Sequence, residues 1–131
     1  MSTKHYGMSV HTSLSIEEAE TRIRAALAEQ GFGILTEIDV AATLESKLGI
    51  TRRPYKILGA CNPPLANRAL EADETIGLLL PCNVVVFEDE DGTVVSAIEP
   101  LMMADLSPAV QSIADEAHDA LERALDAIPI S

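Results

Sequence analysis

The amino-acid sequence predicts an α+β domain, a sheet covered by helices on one face, on three observations. Short strand-like and helix-like segments alternate in the order β-α-β-α-β-α-β-β-α. One clear hairpin signal, Asp91-Gly92, comes late, so a purely parallel sheet is disfavoured. The chain has 131 residues at 47% hydrophobic content, enough for one ordinary core and too little for two, so residues 1–131 read as a single domain. Only 3% of residues are aromatic and none is Trp, so that core must be aliphatic.

Lys4 to Val10 reads as the first strand, with Tyr6, Met8 and Val10 on one face. Ser15-Ile16-Glu17-Glu18 follows as a capping box, in which the Ser15 hydroxyl accepts from the backbone of Glu18 and the Glu18 carboxylate reaches back. Ile16, Ala19, Ile23, Ala26 and Leu27 then recur at helical spacing, and Gly31 stops the helix. Phe32 to Ile38 alternates as a half-buried strand, with Phe32, Ile34, Thr36 and Ile38 on one side. Asp39 caps a short helix with the apolar edge Val40, Leu44 and Leu48, closed by Gly49. Pro54 bars any helical continuation and opens the strand Tyr55 to Cys61.

Asn62-Pro63 has the form of an N-cap and first helical turn, leading into Leu65, Ala66, Ala69 and Leu70. Leu78 to Glu88 is ambiguous at its start, but Val84, Val85, Val86 and Phe87 are strongly β-prone. Thr93 to Ile98 is the returning strand of the hairpin. After Pro100, Met102-Met103 reads as loop or loose core. Ser107-Pro108 starts the longest helix, whose stripe is Val110, Ile113, Ala114, Ala117, Leu121, Ala124, Leu125 and Ile128.

Charge narrows the function. The protein is acidic, with a formal net charge of −12 and a pI near 4.4. A phosphate backbone would repel it at long range, and it has too few aromatics for a base-stacking surface, so nucleic acid is not an expected partner. The N-terminus has no signal-peptide core and no apolar stretch reaches a membrane span, so a cytoplasmic protein without a membrane partner is expected. In that reducing setting two cysteines are free thiols.

Against this background residues 46–70 carry Lys47, Arg52, Arg53, Lys56 and Arg68 with no Asp or Glu, leaving −17 for the remainder. In or just beyond that island lie both cysteines, each followed by asparagine: Cys61-Asn62 and Cys82-Asn83. Cys61 precedes a helix start, where backbone N–H groups and the helix dipole favour an anion and, with cations nearby, a reactive thiol. The alternative is that both cysteines are small packing residues. The two amides read either as ligand donors or as a helix cap and a strand-end partner. Arg52, Arg53, Lys56 and Arg68 suit a carboxylate or phosphate, or equally pairing with acidic helices or a second subunit.

Other constellations carry less. His5, His11 and His118 are scattered and the cysteines lack CxxC spacing, so no zinc pattern and no metal ligand set is expected. His118 reads as part of a solvated polar stripe between Asp115 and Glu122. Glu88 to Asp91 reads as a solubilising turn without calcium-loop spacing. Glu37 and Asp39 offer paired carboxylates only if Asp39 is not a cap. No Walker, GxGxxG, GxSxG or HExxH motif is present, so whether a cofactor is used is unknown from the sequence.

The runs Gly31 to Val40, Arg53 to Ala66 and Ile76 to Val86 resemble the domain of unknown function 302 over nearly the whole chain. The resemblance implies a small α+β fold with a curved, mainly antiparallel sheet, similar in outline to half of the TATA-binding protein, and a homodimer. It supplies no activity, and a DNA-binding role does not follow from fold. If the Tyr55–Cys61 and Pro81–Glu88 strands run antiparallel, Cys61 and Cys82 become neighbours. In a parallel crossover they lie a strand length apart, roughly 20 Å.

These observations converge on a cytoplasmic homodimeric module that binds a small anionic or polar ligand near Cys61, Asn62, Cys82, Asn83, Arg53, Lys56 and Arg68. The alternatives are a thiol-dependent redox enzyme using Cys61 with Cys82 as resolving partner, and a protein-interaction subunit without a small ligand. Whether the protein is an enzyme is left open by its sequence.

Overall fold

A computed structural model describes residues 2–4 and 6–131, with side chains from Tyr6 onward. Six strands, β1 (Ser2–Lys4), β2 (Gly7–Thr12), β3 (Gly33–Asp39), β4 (Tyr55–Cys61), β5 (Cys82–Asp89) and β6 (Gly92–Ile98), form one sheet in the order β1-β2-β6-β5-β4-β3. Every neighbouring pair is antiparallel. The helices are α1 (Ile16–Glu29), α2 (Val40–Leu48), α3 (Pro63–Ala72), α4 (Leu101–Leu106) and α5 (Gln111–Asp126), with 3₁₀ turns at Glu74–Leu79 and Pro108–Val110. The α+β architecture is the one expected.

Strand periodicity explains the core. Met8, Val10, Leu58, Ala60, Val84, Val86, Val95 and Ala97 sit at alternate positions and are buried beneath Ile23 and Leu27 of α1 and Leu121 and Leu125 of α5. Tyr55, Ile57, Val85 and Phe87 take the other parity, on the sheet's opposite face, and are half-buried. There the Tyr55 and Phe87 rings stack at 5.1 Å. Among the described residues no buried side-chain nitrogen or oxygen lacks a hydrogen-bond partner.

Several local expectations shift. The first strand is split into β1 and β2, which pair antiparallel; Tyr6, just before β2, lies at a turn and is 63% exposed, while Met8 and Val10 are buried. His5 lies outside the described residues. Ser15 caps α1 by accepting from the Glu18 N–H at 3.1 Å, but the Glu18 carboxylate accepts from the Ser15 hydroxyl rather than from its backbone. Gly31, at φ 85°, ends α1 with paired backbone bonds from Gly31 to Ala28 and from Phe32 to Leu27, the left-handed stop that favours glycine.

In β3 a bulge between Ile34 and Thr36 reverses the alternation. Ile34 faces the core, whereas Thr36 and Ile38 are exposed on the far side, as an edge strand tolerates. The late hairpin turns on Glu90-Asp91, one residue earlier than expected, because Asp89 Oδ1 accepts from the Asp91 N–H and Gly92 already pairs with Asp89. Of loop and loose core, the core reading holds for Met103, which is buried, but both methionines lie in the helix α4, and α5 begins only at Gln111, after the 3₁₀ turn at Pro108. None of the described residues forms a helix long and apolar enough to cross a membrane.

Candidate functional site

Antiparallel pairing decides the geometry. Ala60 of β4 lies opposite Cys82 of β5, so Cys61 at the end of one strand and Cys82 at the start of the next reach the same corner. There the sheet end, α3, the turn Glu74–Leu79, α4 and α5 leave a small cavity of about 60 Å³ that opens to the surface. Phe32, Leu65, Ala69, Ile76, Met103, Ile113 and Ala117 contribute to its wall together with both cysteines, and the wall offers almost no polar surface. The alanines at 114 and 117 make the room, because a side chain no larger than a methyl leaves the α5 surface recessed opposite α3.

The two thiols differ. Cys82 is buried, and desolvation, with the charge of Cys61 adding to it, pushes its thiol up to about 11 from an ordinary 9.0. It is therefore a neutral thiol near pH 7. Cys61 is half-exposed. The helix start beside it provides little for an anion: the first two positions of α3 are Pro63 and Pro64, which have no N–H, and the third, Leu65, already donates to Asn62 Oδ1 at 3.3 Å. Asn62 is also fixed from its other side, its Nδ2 donating to the Gln30 carbonyl at the end of α1, 3.3 Å away. The same amide nitrogen would lie 3.1 Å from a Cβ at Gly31, so the close approach reinforces that glycine.

The remaining predicted residues are dispersed. Asn83 is exposed on the opposite face of the sheet, paired with Gly59. Lys56 points to the helix side, where its Nζ meets Glu37 at 2.8 Å and Glu20 at 3.1 Å. Those hydrogen bonds raise the Lys56 pKa, and the Lys56 bond is the main cause of the lowered Glu37 pKa. Arg53 is exposed in the bend before β4, next to Arg52, whose guanidinium lies 5.0 Å from the Tyr55 ring centroid. Arg68, on α3, pairs with Glu116 of α5 at 2.7 Å. Asp39 is a helix cap, accepting from the Ala42 N–H, and His118 bonds chiefly to Glu99, at 2.7 Å, rather than sitting on a solvated stripe.

A second depression adjoins the cavity across Asn62 and Leu65, which line both. It is a polar cleft bounded by Gln30, Arg68, Glu116, Asp119 and Arg123. Arg123 was not marked by any sequence pattern; its Nε donates to Gln30 Oε1 at 2.8 Å across 93 positions. The cavity itself had one signal, the small residues on the stripe of the last helix. No group of three or more His, Cys, Asp or Glu among the described residues is placed to hold a metal ion.

Comparison with known proteins gives a consistent picture. The profile of the family described as "Domain of unknown function DUF302" matches residues 8–128. The crystal structure of an uncharacterized conserved DUF302 protein from Bacillus stearothermophilus is similar, with a TM-score of 0.89 and 29% sequence identity over 96% of this chain and 100% of that one. No curated protein matches the sequence significantly.

Proposed function

This chain belongs to the DUF302 family, and from that premise we propose that it is a binding module taking a small apolar guest, or the apolar end of a larger one, in the Cys61–Cys82 cavity. The observation that carries the reading is the cavity wall: concave, preformed and almost wholly apolar, as ligand pockets tend to be. That lining disfavours a purely anionic ligand at the thiols, since nothing there replaces the water such a charge would lose. A thiol enzyme gains the proximity of the two cysteines but not a resolving thiolate at Cys82, because a resolving thiol attacks as thiolate and Cys82 is held neutral. Titration with 1-hexanol followed by backbone amide NMR tests the proposal. The expected result is saturable shifts confined to residues such as Phe32, Ala60, Leu65 and Ile113; no saturable shift up to the alcohol's solubility overturns it.

The module is also proposed to act as a homodimer, in the cytoplasm, where two unpaired thiols stay reduced. Support comes from α2, which buries none of its residues, from exposed Ile38, Leu48 and Ile50, and from the half-buried apolar face of the sheet. The acidic remainder of a second copy complements the exposed Arg52 and Arg53. Sedimentation equilibrium at micromolar concentration is expected to give twice the chain mass, and a monomer mass throughout removes the dimer.

A further inference from the structure

We infer that the guest is an amphiphile with a single carboxylate head, its aliphatic chain in the Cys61–Cys82 cavity and its head in the adjoining cleft against Arg123. The inference rests on the apolar-guest reading and adds the chemistry of the other end. Asn62 and Leu65 line both cavity and cleft, which places the two side by side. Their walls differ sharply in kind, apolar on one side of Leu65 and bearing two guanidinium groups on the other.

The cleft's charges select the head. Arg68 is already engaged by Glu116 at 2.7 Å. Arg123 is held only by the neutral amide of Gln30, and among the described residues no carboxylate lies within ion-pair distance of it. A carboxylate replacing Gln30 converts a neutral hydrogen bond into a charge-assisted, two-pronged one, which is the stronger arrangement. Gln30 loses nothing essential, since its role in tying α1 to α3 is played by its backbone carbonyl, the acceptor for Asn62. Asp119 and Glu116 also face the cleft, so its two positive and two negative groups balance. A monoanion can be accommodated there by one arginine; a phosphate dianion meets two opposing carboxylates and is disfavoured. The small interior of the cavity takes only the last few carbons of the chain, and the methylenes nearer the head lie between cavity and cleft.

Hexanoate and 1-hexanol share the chain and differ in the head, and calorimetric titration of both into the full-length protein at pH 7 separates the two levels of the argument. Hexanoate is expected to bind about ten-fold tighter than hexanol. In Arg123→Gln that advantage is expected to vanish while hexanol binding is unchanged, which also shows that the variant is folded. Equal affinities, or tighter hexanol binding, overturn the carboxylate head and leave the apolar pocket standing. A hexanoate preference that survives in Arg123→Gln likewise overturns the assignment to Arg123. If neither compound binds, the pocket reading and this inference fall together.

Discussion

Cys61-Asn62 closes a strand and Cys82-Asn83 opens the one beside it, and the same two residue types meet different surroundings. Cys61 is half-exposed beside a helix start; Cys82 is buried with its thiol pushed up. Asn62 bonds at both ends of its amide, to Leu65 and to Gln30, and so joins α1 to α3. Asn83, one strand away, projects from the open face beside Gly59. The difference follows from position in the ladder: at a strand end the chain leaves the sheet and its polar groups must be capped, whereas inside a strand parity alone chooses the face. A dipeptide is thus no unit of function here.

The largest effect that can test this contrast is expected at Gly59, the partner of Asn83. A Cβ there would overlap Thr36 Oγ1 and come within 2.9 Å of Pro81 Cγ, so Gly59→Ala is expected to cost about 3 kcal/mol by overpacking, read from urea unfolding at pH 7. A change near zero would mean that β3, β4 and the Pro81 segment do not close on one another as described.

Next comes the buried thiol. Because the folded-state pKa of Cys82, about 11, is above its ordinary 9.0, the native state holds the proton more tightly. That contribution is complete below about pH 9 and lost as pH rises through about 11, on the order of 2 kcal/mol in all. Urea titrations of wild type and Cys82→Ala from pH 8 to 11 should show the steeper alkaline loss in the wild type. Parallel slopes would place Cys82 in contact with water and erase its contrast with Cys61.

The smallest of these effects separates the asparagines. Asn62→Ala is expected to lose about 1 kcal/mol through the vacated cap and the broken tie to Gln30, while Asn83→Ala should stay within about 0.5 kcal/mol of wild type. Equal losses at the two positions would dissolve the distinction between capped end and open face.

Much of this protein is set locally and could be read without coordinates. Ser15, Asp39 and Asn62 cap helices, Gly31 and Gly49 end them in left-handed backbone, and strand β4 spans the expected Tyr55–Cys61, because caps, turns and alternation act between residues a few positions apart. The two thiols and Asn62 were likewise marked by their types and neighbours. What only the tertiary structure decided is which marked residues meet. The bulge in β3 turned Thr36 and Ile38 outward, strand parity sent Asn83 to the far face, and Lys56 turned to Glu20 and Glu37 instead of the thiols. Arg123 entered the cleft across 93 positions of chain. Side-chain periodicity fixes which residues share an element's face, but the register and docking that bring distant faces together depend on the packing of the whole core.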